Sequence, residues 1–129
     1  MMSPHVLVVQ ESVELATFLY HFLSYEGHEC TLAIQVQEAV DLLRTRKFDL
    51  IITDSFGFSV RSSCDLAPLQ PLLDNARQTP LILFSTWDVD VAIARQANVF
   101  TSVVQQPLEI DELARQVNAA LEETGGGQT

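Results

Sequence analysis

Short, continuous apolar runs that stop abruptly at polar residues punctuate this chain, and they leave few folds open to it. Residues 48–58, FDLIITDSFGF, set the pattern: Leu50, Ile51 and Ile52 lead to a single carboxylate, Asp54, with Ser55 and Gly57 close behind. A run this short, bounded by turn residues, reads as a strand buried on both faces. Asp54 then falls at the strand's carboxyl end, where open parallel sheets place their ligands. Residues 5–10, HVLVVQ, and 80–85, PLILFS, repeat the pattern and end at Gln10 and Ser85.

Between the runs lie helical patterns. Ser12 offers an N-cap, Leu15, Phe18, Leu19, Phe22 and Leu23 recur at helical spacing, and Gly27 is a natural stop. Residues 28–33 alternate, with Cys30 and Leu32 on one side and Glu29 and Thr31 on the other, which suits a strand near the sheet edge. Val36, Ala39, Val40 and Leu43 mark the next helix, closed by Arg44, Arg46 and Lys47, cations that favour a helix C-terminus. Residues 55–65 show no period and read as a loop. Pro68 and Pro71 suit the first turn of a helix carrying Leu69, Leu72, Leu73 and Ala76. After the strand at 80–85, the loop Thr86, Trp87 and Asp88 leads to a brief helix at Val89, Ala92 and Ile93 that ends at Asn98; Trp87 reads equally as an interaction anchor or a half-buried side chain. A last strand covers residues 100–105, Pro107 breaks the chain, and Ile110, Leu113, Val117, Ala120 and Leu121 line a final helix.

Alternating apolar strands and amphipathic helices predict an α/β fold: a doubly wound, five-stranded parallel sheet in flavodoxin-like order 2-1-3-4-5, with helices on both faces and right-handed crossovers. The 129 residues suffice for one domain, expected over residues 1–124, followed by a flexible Gly-rich tail at 125–129. Seventeen acidic against seven basic residues give a net charge of -10, which repels nucleic acid and anionic lipid and favours basic protein surfaces. No apolar run is long enough to cross a bilayer, and the N-terminus has no signal-peptide pattern, so a cytoplasmic location is expected. Cys30 and Cys64 do not make a disulfide framework and read as reduced thiols; His5, His21 and His28 lack partners at metal-ligand spacing.

The predicted topology gathers Glu11, Asp54 and Ser85 on one rim, with Gln106 arriving from the last strand. Carboxylates at the mouth of a sheet repel one another unless a cation lies between them, and hard oxygen ligands suit Mg²⁺. Asp54 also reads as an ordinary turn aspartate, and Glu11 as a favourable charge at a helix N-terminus. The order VLVV then acid, DLIITD, PLILFS and QQP, spread over nearly the whole chain, resembles the receiver domain of two-component response regulators. The resemblance implies Asp54 at the phosphoacceptor position, Ser85 as the switch hydroxyl, and Glu11, Asp54 and the carbonyl of Phe56 as Mg²⁺ ligands. It also implies a histidine kinase or an output protein as partner, with homodimerisation through the last strand and last two helices, where Glu109, Asp111, Glu112, Glu122 and Glu123 form an acidic face.

Three altered positions stand out. Gln10 replaces the first of the family's acidic pair, Gln106 its lysine, and Val103 its aromatic switch residue; the Met-Pro and Gly of the loop after the phosphoacceptor are absent as well. Losing one acid and one base leaves the pocket's formal charge unchanged, yet removing a cationic donor from a phosphoryl-transfer site costs about 10²- to 10³-fold in rate. The resemblance therefore implies a degenerate receiver that acts mainly as a protein-interaction module, without enzymatic activity of its own. The alternatives are a conventional Mg²⁺-dependent phosphoacceptor and a flavodoxin-like small-ligand module; the last lacks any Gly-rich phosphate cradle.

Overall fold

The computed structural model describes residues 4–53, 59–60, 64–65, 70–76, 79–85, 102–105 and 110–125. In chain order these form β1 (His5–Val9), α1 (Val13–Tyr25), β2 (Glu29–Ala33), α2 (Val36–Thr45), β3 (Leu50–Thr53), β4 (Ser59–Val60), β5 (Cys64–Asp65), α3 (Gln70–Ala76), β6 (Leu81–Ser85), β7 (Ser102–Gln105) and α4 (Ile110–Gly125). Five strands make one sheet in the order β2-β1-β3-β6-β7, all pairings parallel. With the small β4–β5 hairpin set aside, this is the flavodoxin-like order expected from the apolar runs.

Alternation along the buried strands divides the core into two layers. Leu7 and Val9 of β1, Ile51 of β3 and Leu81 and Leu83 of β6 pack with Ala39, Leu72 and Ala76 from α2 and α3. Val6, Val8, Leu50, Ile52, Ile82 and Phe84 face the other way, against Leu19 and Leu23 of α1 and Leu113, Val117 and Ala120 of α4. β1, β3 and β6 thus each contribute to both faces, which is why their sequences are apolar throughout rather than alternating. β2 lies at the edge, and Cys30 and Leu32 pack together on the α1 side as their spacing predicts.

The helix ends follow local chemistry. Ser12 Oγ accepts from the Leu15 N–H at 3.3 Å and starts α1. At the other end Gly27 adopts φ +88°, the His28 N–H reaches Leu23 O at 2.9 Å, and the Gly27 N–H reaches Ser24 O at 3.1 Å. This paired closure satisfies two terminal carbonyls and needs the left-handed residue that glycine supplies. Pro71 sits in the first turn of α3, where its missing N–H costs no intrahelical bond.

Four expectations need correction or a limit. Residues 55–65, read as a loop, contain the antiparallel β4–β5 hairpin; two-residue strands are too short to display a period of two. Phe18 is not part of the buried α1 stripe: it is 41% exposed and stacks on Phe22, with Ala16 occupying the buried position instead. Helix α4 runs to Gly125, one residue into the stretch assigned to the tail. The helix expected around Val89, Ala92 and Ile93, like Trp87, Asn98 and Pro107, lies outside the described residues.

Candidate functional site

Parallel pairing brings the carboxyl ends of the strands to one rim. Val9 lies opposite Thr53 and Ala33, Thr53 opposite Leu83, and Ser85 opposite Gln105. The Gln10 N–H extends the ladder by donating to Ala33 O at 2.9 Å. Glu11 follows, exposed, just ahead of the Ser12 cap, where the amino end of α1 favours a negative charge.

Gln10 is the feature of this rim that the sequence reading undervalued. It is fully buried, one of two buried polar residues among the described core, the other being Thr53. Its Nε2 donates to Phe84 O at 3.4 Å, tying the end of β1 to β6 one residue before Ser85. Its Oε1 has no hydrogen-bond partner among the described residues. A buried acceptor left unmade costs about 1–3 kcal/mol, so this oxygen is a ready acceptor for any donor that enters the rim. The signal was present: Val6, Val8 and Gln10 are spaced by two, placing the amide on the same face as Phe84.

Of the other positions singled out from sequence, Ser85 ends β6 beside Gln105 of β7, and Val103 lies opposite Leu83. Asp54, Phe56 and Gln106 lie outside the described residues. Among the described residues no group of three or more His, Cys, Asp or Glu is arranged to hold a metal. The Glu11 carboxylate and the Gln10 amide oxygen are hard donors of the kind Mg²⁺ accepts, but only one of them carries charge.

Away from the rim, two groups are perturbed by burial. Desolvation pushes the Cys30 thiol up to about 12, which keeps it protonated. His28 is held below the ordinary histidine range by desolvation, partly countered by the nearby Glu26 carboxylate. On α4, Glu112 is lowered by hydrogen bonds from Gln116 and Arg115 and by the Arg115 charge, as expected for a solvated helix face. No helix among the described residues is long and apolar enough to cross a membrane.

No family model matches the chain. It is 28% identical over 124 residues to YkoG of Bacillus subtilis, an uncharacterized transcriptional regulatory protein, which covers 94% of this chain and 52% of that one. The chain thus spans about half the length of the curated relative it matches. Among solved structures, the receiver domain of Francisella response regulator 1452 matches with TM-score 0.73 and 26% identity, over 95% of this chain and 99% of that one. A CheY-like response regulator receiver domain protein from Methanospirillum hungatei JF-1 gives TM-score 0.77 at 14% identity, over 98% and 99% of the two chains, a likeness of fold alone. Strand order, two-faced core and sequence likeness converge: the chain has the CheY-like fold and fits the receiver domains of two-component response regulators.

Proposed function

We propose that this receiver domain is degenerate and works mainly as a protein-interaction module in two-component signalling, with weak or absent phosphorylation at Asp54 and no enzymatic activity of its own. The observation that carries the reading is Gln10. A neutral amide, buried and bonded to the Phe84 carbonyl, stands where a receiver has the first of its acidic pair. One fewer carboxylate weakens a Mg²⁺ site built on Glu11, Asp54 and the Phe56 carbonyl, and phosphoryl transfer depends on that charge compensation. The replacement of the family lysine by Gln106 and of the aromatic rotor by Val103 points the same way. The partner is then a histidine kinase or an output protein, met in part through the last strand and the helices flanking it.

The second reading, a conventional phosphoacceptor, is favoured by the exposed Glu11 carboxylate and by Ser85 at the end of β6, both retained at this rim. A two-dimensional amide NMR titration separates the two. The degenerate reading predicts a well-dispersed spectrum unmoved by millimolar Mg²⁺ and then by beryllofluoride. Shifts at Glu11 and Asp54 with Mg²⁺, spreading to Ser85 and β7 with beryllofluoride, would establish a surviving phospho-switch and overturn it.

A further inference from the structure

The amino ends of the strands, at the rim opposite Gln10, hold an open cleft of about 930 Å³ whose lining includes Arg44, Arg46, Lys47, Phe48, Asn75 and Thr79. Three of the chain's seven cations fall within positions 44–47, in a chain of net charge -10. They are presented by the end of α2 and the turn into β3. Arg44 and Lys47 have no hydrogen-bond or ion-pair partner among the described residues. The Arg46 guanidinium lies 5.3 Å from the Phe48 ring centroid and 3.0 Å from His5 Nε2, which fixes its place on the cleft wall. The one acid among the described residues of the lining, Asp49, is already engaged: its Oδ2 accepts from the His5 N–H at 2.8 Å. The cleft therefore offers two unpaired cations and a third held by stacking, around buried Phe48, Ala76 and Pro80.

We propose that this cleft binds an acidic segment of a partner protein in which carboxylates flank an apolar side chain. Its mixed lining argues for a peptide. Cations at the mouth match carboxylates, the Thr79 hydroxyl and the Oδ1 of Asn75, whose Nδ2 already donates to Pro71 O at 2.7 Å, suit a peptide backbone, and the apolar residues suit an aliphatic group. A nucleic acid carries uniform charge along its length and, beyond the cleft, runs against a chain of net charge -10. The site is separate from the phosphoacceptor rim and does not depend on whether Asp54 is phosphorylated.

Fluorescence anisotropy of a short labelled peptide alternating glutamate pairs with leucine tests this on the full chain. Binding should weaken as salt rises from about 30 to 300 mM, because exposed charges are screened within a Debye length. The double variant Arg44→Glu/Lys47→Glu should weaken it about ten-fold or more, whereas Arg44→Lys/Lys47→Arg, which keeps the charge, should retain it. A thermal melt confirms that both variants are folded. Equal binding by the charge-reversed variant overturns the proposal, as does tighter binding of a single-stranded oligonucleotide than of the peptide. No peptide binding, with self-association of the chain lost on the same charge reversal, overturns it in favour of a second copy.

Discussion

Replacing Gln10 with glutamate, the nearest acidic isostere, probes the rim directly. The new side chain keeps the shape but loses the amide donor to Phe84 O, a bond that at 3.4 Å is worth the low end of the usual range, about 0.5 kcal/mol. The larger effect is charge burial, because the position is fully buried. A carboxyl there should titrate about 2 units above its unfolded value near 4.3, and each unit is 1.36 kcal/mol, so Gln10→Glu should cost about 3 kcal/mol at pH 7. For a chain of this length that is about 10 °C in Tm.

The sign follows from linkage. A carboxyl with a raised folded pKa binds its proton more tightly in the native state, so the penalty is small below pH 4.3 and grows as pH rises through the folded pKa. Urea unfolding with EDTA at pH 4 and pH 7 reads this out. Gln10→Met completes the pair: it removes both the weak bond and the unpartnered Oε1, and its net effect should lie within about 1 kcal/mol of wild type, tending to stabilise. A Gln10→Glu protein as stable as wild type at pH 7 in EDTA, or a Gln10→Met loss above about 2 kcal/mol, would refute the assignment of Gln10 as a buried, half-satisfied amide.

Two further outcomes follow from the perturbed groups. His28, held neutral by burial, makes stability fall as pH drops below about 6.5, since the unfolded chain then takes up a proton the native one resists; in His28→Gln, the urea midpoint should change less between pH 7.5 and 5.5. In a Cys64→Ser background, Cys30, with its thiol pushed up from 9.0 to about 12, should react with iodoacetamide at pH 8 about 10³-fold more slowly in the native state than in urea, and comparable rates would show that the thiol is not buried.

How far the sequence was legible depended on how long each pattern ran. The β1, β3 and β6 runs and the stripe at Leu113, Val117 and Ala120 extend over enough residues for their period to show, and the structure buries them as read. Ser12 and Gly27 were legible because each performs a local task, capping and left-handed closure, that few residue types do well. The β4–β5 hairpin was hidden, since two residues per strand carry no period. The place of Phe18 was missed because Phe18 and Ala16 lie on different sides of the same helix, and spacing alone favoured the larger side chain. Gln10 was read as the end of a strand because polarity usually marks a boundary; its spacing from Val6 and Val8 gave the face, but its burial rests on the ladder bond to Ala33 and the contact with Phe84, which are tertiary. The basic end of α2 was explained by helix electrostatics alone, and its place beside a cleft required the packing of α3 against the same sheet face.

The bond from Gln10 to Phe84 also limits how a degenerate rim, as proposed above, would have lost its switch. A receiver responds when a ligand binds one of two arrangements better than the other, and the response is bounded by that difference in affinity. If the Gln10 bond alone held β6 in one arrangement, about 0.5 kcal/mol would bias the equilibrium only about two-fold, far short of the roughly 5.5 kcal/mol needed to move a population from one extreme to the other. A lock of that strength cannot silence a rim whose ligand still discriminates between the two states. Silence that originates at position 10 must therefore arise on the ligand side, in a charge set too weak to hold Mg²⁺ and a phosphoryl group differentially. Restoring charge at position 10 should then restore Mg²⁺ sensitivity: millimolar Mg²⁺ should recover part of the stability lost in Gln10→Glu while leaving wild type unchanged. Equal Mg²⁺ responses in the two proteins would place the defect elsewhere than in the charge of this residue.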